Sequence, residues 1–250
     1  MIPLKNRSEL EIMRRAGGIA ARALEIGGDM ARQGATTRQI EKAIHRYIKS
    51  QNATPSFLGY QGFPASACIS VNDEVIHGIP GDRLLKEGDI VSIDVGAYYK
   101  GFHADNARTF AVGNISPQAK ALMEVTEQSL FEAINVCKRG GRLGDISWAV
   151  QAYVEGKGFS VVREYVGHGI GRKMHESPEI PNFGDPGRGV RLAPGMTLAI
   201  EPMVNIGCCE VRTLKNGSVF TEDGSLSAHF EHTVLIADQG PIILTLTTNY

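Results

Sequence analysis

Two blocks of this 250-residue chain recur in its second half at nearly one spacing. Gly34…Ile40…Ile44…Tyr47-Ile48 returns as Gly140…Ile146…Val150…Tyr153-Val154, an offset of 106. Leu85-Lys86-Glu87-Gly88…Ile93-Asp94 returns as Leu192-Ala193-Pro194-Gly195…Ile200-Glu201, an offset of 107. Apolar patterns also recur by chance, but two separate blocks sharing one spacing favour a duplication. Each copy reads as two helices followed by a strand that ends in a carboxylate. The expected product is one α+β domain over residues 1–250, with halves of about 1–110 and 111–250 enclosing a central sheet. Equivalent strand ends would then converge on one site between the halves.

The elements around these blocks are legible in outline. Ser8 with Glu11 makes a capping box, after which Leu10, Met13, Gly17, Ala20 and Leu24 recur at helical spacing. Thr36 with Gln39 opens a second helix carrying Ile40, Ile44, Tyr47 and Ile48 on one face. Ser116-Pro117 opens a third, with Leu122, Val125, Leu130 and Ile134, and a fourth runs from about Asp145. Gln51 to Ile79 is rich in Gly, Pro, Ser and Asn, with a short strand-like run at Cys68–Val71. Ile90–Val95 reads as a buried strand, and the chain closes on the apolar run Ile242–Leu246.

Composition removes several function classes. With 26 Lys and Arg against 27 Asp and Glu, the formal net charge of -1 lacks the basic footprint of a nucleic-acid binder. Cys68, Cys137, Cys208 and Cys209 have no C-x-x-C spacing, which argues against a disulfide scaffold or zinc finger and for a reducing cytoplasm. No run approaches the ~20 apolar residues of a membrane span, and the first residues carry no signal-peptide pattern. Gly167-His168-Gly169-Ile170-Gly171 lacks the lysine of a phosphate loop, and no G-x-S-x-G occurs. Cys68 reads as a small buried side chain rather than a nucleophile.

The chemistry lies in polar residues that interrupt apolar strands. Asp94 sits in Val91-Ser92-Ile93-Asp94-Val95, where a lone ionised carboxylate is costly to bury. If the chain reverses around Tyr99-Lys100, a hairpin places Asp94 directly opposite Asp105. Glu201 repeats the Asp94 position in the second half, Glu231 precedes the strand Thr233–Ile236, and His168 sits among glycines that permit close approach. Any one of these acids, taken alone, is better explained by a lysine, arginine or backbone partner. Taken together, Asp94, Asp105, His168, Glu201 and Glu231 form an oxygen-rich set suited to two divalent ions, manganese, iron(II) or cobalt, and zinc less typically. Two such ions activate a water and polarise a carbonyl, which points to amide hydrolysis with Glu201 taking the water proton. His77 and His175 lie in loops where each can donate a hydrogen bond to substrate; His45, His103, His229 and His232 are expected to be structural.

In order and at matching intervals, His77-Gly78-Ile79-Pro80, Ser92-Ile93-Asp94-Val95-Gly96, Gly101-Phe102-His103-Ala104-Asp105, Gly167-His168-Gly169-Ile170-Gly171, Ile200-Glu201-Pro202-Met203 and Phe230-Glu231-His232-Thr233 resemble the type I methionine aminopeptidases of bacteria. The resemblance covers essentially the whole chain. It implies the pita-bread fold, two pseudo-symmetric α+β halves around a central, mostly antiparallel sheet. It also implies that Asp94, Asp105, His168, Glu201 and Glu231 ligate two metal ions, with Asp94 and Glu231 bridging or bidentate. His77 and His175 would contact substrate, and Tyr60, Phe63 and Cys68 would line an apolar methionine pocket. Met174 stands where the family often has phenylalanine, and Ser218 near a family tryptophan. The implied activity is removal of the initiator methionine from nascent chains when the next residue is small. A transient ribosome encounter, a cytoplasmic monomer and the absence of nucleic-acid or membrane partners follow from the same reading. A proline-directed peptidase of the same fold and a non-catalytic binding protein are the alternatives.

Overall fold

The computed structural model describes residues 2–247. Helix α1, Arg7–Met30, starts earlier than the Ser8–Glu11 pattern predicts. Asn6 accepts the Glu9 N–H at 3.1 Å and Glu9 accepts the Asn6 N–H at 2.9 Å, so the capping box is formed two residues upstream. Helix α2, Thr37–Ser50, has the predicted Thr36–Gln39 box, and Ile40, Ile44 and Ile48 are fully buried. Ser116 caps α3, Pro117–Asn135, through the Ala119 N–H at 3.1 Å. Helix α4, Leu143–Gly156, begins two residues before Asp145, whose carboxylate accepts the Arg142 N–H at 2.8 Å.

Among the described residues the central sheet has nine strands and every pairing in it is antiparallel. Its spine runs Thr54–Pro55, Ile90–Tyr99, Phe102–Ala111, Glu231–Ala237, Thr197–Ile200, Gly167–Gly169 and Glu176–Ile180. Cys68–Val71 adds to the Ile90–Tyr99 strand, and Gly240–Ile243 adds to Glu231–Ala237. The final apolar run is shorter than expected: Leu244 is buried while Leu246 is exposed. Where this segment crosses α1, a Cβ at Gly17 would stand 2.1 Å from the Leu244 carbonyl oxygen, so only glycine permits the approach.

The hairpin turn departs from expectation by one residue. Tyr99 pairs with Phe102, and the two turn residues are Lys100 (φ 45°) and Gly101 (φ 93°). A tight hairpin wants left-handed backbone at both central positions, and glycine supplies it at no steric cost, which Tyr99-Lys100 does not. The register therefore sets Asp94 opposite Ala107 and Asp105 opposite Gly96. The two aspartates are diagonal neighbours on one face rather than direct partners.

Hydrogen bonds repeat at the sequence offset. Gly34 N–H donates to Leu85 O and Arg38 N–H to Gly81 O, both at 2.9 Å. Their counterparts, Gly140 N–H to Leu192 O at 2.9 Å and Gly144 N–H to Arg188 O at 3.0 Å, tie α4 in the same way. Each half has its own core: α1 and α2 pack on Ile69, Ile93 and Val95, while α3 and α4 pack on Leu198, Ile200 and Val234. The sheet passes from one half to the other where Glu231 and His232 pair with Ala107 and Asn106.

Candidate active site

Five polar side chains meet where the halves join. Asp94 comes from the middle of its strand, and Asp105 from the next strand of the hairpin. Glu231 begins its own strand, His168 lies within Gly167–Gly169, and Glu201 follows Thr197–Ile200. The strand register explains the convergence: His232 pairs with Ile200 on one side and Asn106 on the other, while His168 pairs with Ala199. Thr233 Oγ1 ties two of these strands, accepting the Asp105 N–H at 2.9 Å and donating to the Asp105 carbonyl at 2.8 Å. Ligand atoms of Asp105, His168 and Glu231 lie within 4.8 Å of one another. His168 Nε2 stands 3.6 Å from Glu201 Oε1. His168 Nδ1 lies 2.9 Å from the Gly169 carbonyl. It must donate there, which leaves Nε2 as the lone-pair atom facing the acids.

The site is electrostatically incomplete. Burial, then Asp105 and Glu201, pushes the Asp94 carboxyl well above its ordinary range. Burial raises Asp105 to about 7. Glu201 and Glu231 are likewise held well above normal, by burial first and then by neighbouring carboxylates, Asp105 foremost. Asp94 Oδ1, Asp105 Oδ1 and Glu231 Oε1 are buried with no hydrogen-bond partner. Among the described residues lining the cavity there is no lysine or arginine to answer them. Backbone bonds from Val95 and Asn106 reach Asp94 and Asp105, yet one oxygen of each stays unanswered. Hard, unpartnered oxygens around a neutral imidazole fit a divalent cation.

The cavity above these groups has a volume of about 700 Å³. One wall is apolar: Phe57, Cys68 and Met174 are buried together, with Tyr60 and Phe63 packed against them. Cys68 pairs in register with Asp94, which puts the apolar wall one strand from the acids. Burial pushes its thiol well up, so it serves as a small apolar side chain, as expected. Met174 joins this wall, whereas Ser218 turns inward and donates to the His77 carbonyl at 3.2 Å, leaving Asn216 and Gly217 at the rim. His175 Nδ1 is 2.7 Å from the Tyr60 hydroxyl, and its ring centroid is 4.2 Å from that of His168. His77 lines the cavity with left-handed backbone (φ 60°) and stands edge-on to Tyr165. Burial lowers the basicity of both loop histidines.

His229 is nearer the site than its expected structural role implies. It is buried, burial depresses it to about 3, and its unpartnered Nε2 is 3.7 Å from Glu201 Oε2. The available signal was its position two residues before Glu231. His45 and His232 bind hydroxyls of Ser66 and Thr245 away from the acids, and His103 binds Ser56.

A model of "Metallopeptidase family M24" matches residues 11–238. The chain belongs to this family. As an M24 metallopeptidase it uses divalent metal, and Asp105, His168 and Glu231 form a metal-compatible cluster among its described residues. A curated relative, the methionine aminopeptidase of Clostridium perfringens, is 56% identical over 247 residues, 98% of this chain and 99% of that protein. The crystal structure of methionine aminopeptidase from Thermotoga maritima superposes with a TM-score of 0.97 at 47% identity, covering 98% of this chain and 99% of that one. The prolidase of Pyrococcus furiosus shares the fold alone, with a TM-score of 0.81 and 24% identity over 98% of this chain but 66% of its own. The family fold is the expected pita-bread architecture.

Proposed function

We propose that the protein is a methionyl aminopeptidase that removes the initiator methionine from nascent chains when the second residue is small. The observation that carries this is the junction of two environments in one cavity: an apolar wall of Phe57, Tyr60, Phe63, Cys68 and Met174 beside the buried acids. A methionine side chain, unbranched, flexible and able to set its sulfur against aromatic rings, suits such a wall. Asp94, Asp105, His168, Glu201 and Glu231 would hold two divalent ions, cobalt, manganese, iron(II) or zinc. When bound, such ions supply Lewis acidity and lower the pKa of water.

The remaining roles belong to the chain. Glu201 accepts the proton of the attacking water and passes it to the leaving amine. The Tyr60 hydroxyl, 2.7 Å from Nδ1, can donate there in the tautomer in which His175 carries its ring proton on Nε2 and donates to the substrate carbonyl. His77, lining the same cavity, donates a hydrogen bond to the substrate. Residues 1–250 act as one catalytic domain built from two halves, a cytoplasmic monomer that meets its substrates where they leave the ribosome and that needs neither membrane nor nucleic acid. No helix among the described residues is long and apolar enough to cross a membrane.

Met-Ala-Ser is the discriminating substrate. The manganese-loaded protein should release its methionine, and EDTA should stop the reaction. His77→Ala should lower turnover at least about tenfold while leaving metal content intact. Cleavage of Ala-Pro peptides with Met-Ala-Ser untouched would reassign the protein as a proline-directed peptidase. Cleavage of neither, with metal bound, would make it a binding protein.

A further inference from the structure

The segment Gly171–Ser177 is a thin wall between two cavities. The substrate cavity lies on one side, and on the other lies a cavity of about 420 Å³ bordered by Lys5, Glu9, Phe102 and Arg172; His175, Glu176 and Ser177 line both. Met174 of this wall is packed among apolar side chains, whereas His175 is exposed and is held by directional bonds. Tyr60 provides one of them to His175. Glu176, the next residue, provides the anchor.

Glu176 Oε1 accepts the Lys173 N–H at 3.2 Å and closes the turn of the loop on itself. Its other oxygen accepts the Lys5 ammonium at 2.5 Å, and the two side chains are only 4% and 6% exposed. Lys5 is fixed in turn: its N–H donates to the Gly195 carbonyl at 2.8 Å. Its stem runs beneath Gly171, where a Cβ would come within 2.3 Å of Lys5 Cε. Glycine at 171 therefore makes the channel through which the lysine reaches its partner. The loop's other ion pair, Arg172 with Glu9, leaves the arginine 67% exposed and is screened by salt.

A buried ion pair is a poor source of stability, because desolvation offsets attraction; what it supplies is a fixed geometry. We propose that Lys5 is a positioning residue for His175, acting through Glu176 to hold the imidazole at the reaction centre. This rests on the reading of His175 as a substrate-contacting group. The short segment ahead of α1, 171 residues away in sequence, thereby becomes part of the active-site wall.

The test uses the full, manganese-loaded chain. Lys5→Met keeps the side-chain length and removes the charge, and it should lower kcat on Met-Ala-Ser by about tenfold or more. KM and manganese content should move less than about twofold, with most of the loss recovered in Lys5→Arg. In a His175→Ala background, Lys5→Met should cost nothing further, since no imidazole is left to place. In the metal-free protein, hydrogen exchange over residues 171–177 should quicken by about tenfold in Lys5→Met and stay unchanged elsewhere. If Lys5→Met does not fold, Glu176→Gln enters the same comparisons with the same expectations. Equal falls in kcat with and without His175, or unchanged exchange in that segment, overturns the proposal and leaves the aminopeptidase reading standing. A His175→Ala protein as active as its parent removes the role of His175, and the positioning role of Lys5 with it.

Discussion

Raising the pH in the presence of a chelator should expose the cost of four buried carboxyls. In the ion-free protein Asp105 titrates at about 7, and Asp94, Glu201 and Glu231 are pushed well above their ordinary ranges. A carboxyl with a raised value binds its proton more tightly folded than unfolded. Its contribution to stability is present at low pH and is lost as pH climbs through the folded value. The site histidines run the other way: His168 and His229, depressed from 6.5 to about 3, lose stability as pH falls below 6.5. Above about pH 7 these histidines are neutral in both states, so a window from about pH 7 to about pH 8.5 belongs to the carboxyls. Each carboxyl that keeps its proton in the fold costs about 1.4 kcal/mol per pH unit there. Asp105 itself, raised to about 7, adds only a few tenths of a kcal/mol across the window. For a chain of this size each further carboxyl still protonated there lowers Tm by about 4 °C per pH unit. Thermal melts followed by circular dichroism, with EDTA and in parallel with saturating manganese, read it directly. With manganese the cations take the place of the protons, and Tm should stay nearly level. A Tm in EDTA that is flat or rising across the window would refute the reasoning, because the carboxyls would then be ionised and satisfied without a cation.

Three further outcomes follow from the geometry. Asp105→Ala should remove at least one bound ion per chain by elemental analysis, since Asp105 lies within ligand distance of both His168 and Glu231. Met174→Ala should raise KM for Met-Ala-Ser severalfold while leaving metal content unchanged, because Met174 belongs to the apolar wall and not to the acid cluster. Gly17→Ala should destabilise the fold by about 1–3 kcal/mol in urea melts without altering metal binding, because its Cβ meets the Leu244 carbonyl.

Much of the site was legible before the fold was known, for an identifiable reason. Acids that break an apolar strand are expensive, so Asp94, Glu201 and Glu231 announced themselves by cost. The repeat supplied their relation, and the duplicated bonds at Gly34 and Gly140 are its structural form. What escaped was set by local geometry one or two residues wide. The hairpin register turned on which dipeptide tolerates left-handed backbone, and Lys100-Gly101 does so better than Tyr99-Lys100. The start of α1 turned on Asn6 competing with Ser8 for the same role; Ser8 Oγ instead donates to Asn6 Oδ1 at 2.7 Å. His229 escaped because the chain changes sheets at Phe230, between the strands Ser227–His229 and Glu231–Ala237, so strand alternation alone does not say where it points.

The central sheet crosses between the halves over two paired positions, and one of the residues there is Glu231. Asp94 and Asp105 belong to the first half, and His168, Glu201 and Glu231 to the second. A cation gripped from both sides would thus work as a rivet, closing a long loop of chain at a narrow seam in the way a disulfide does. Fragments cut between the halves near residue 113, a glycine turn ahead of α3, would then reassemble only when the ion is present.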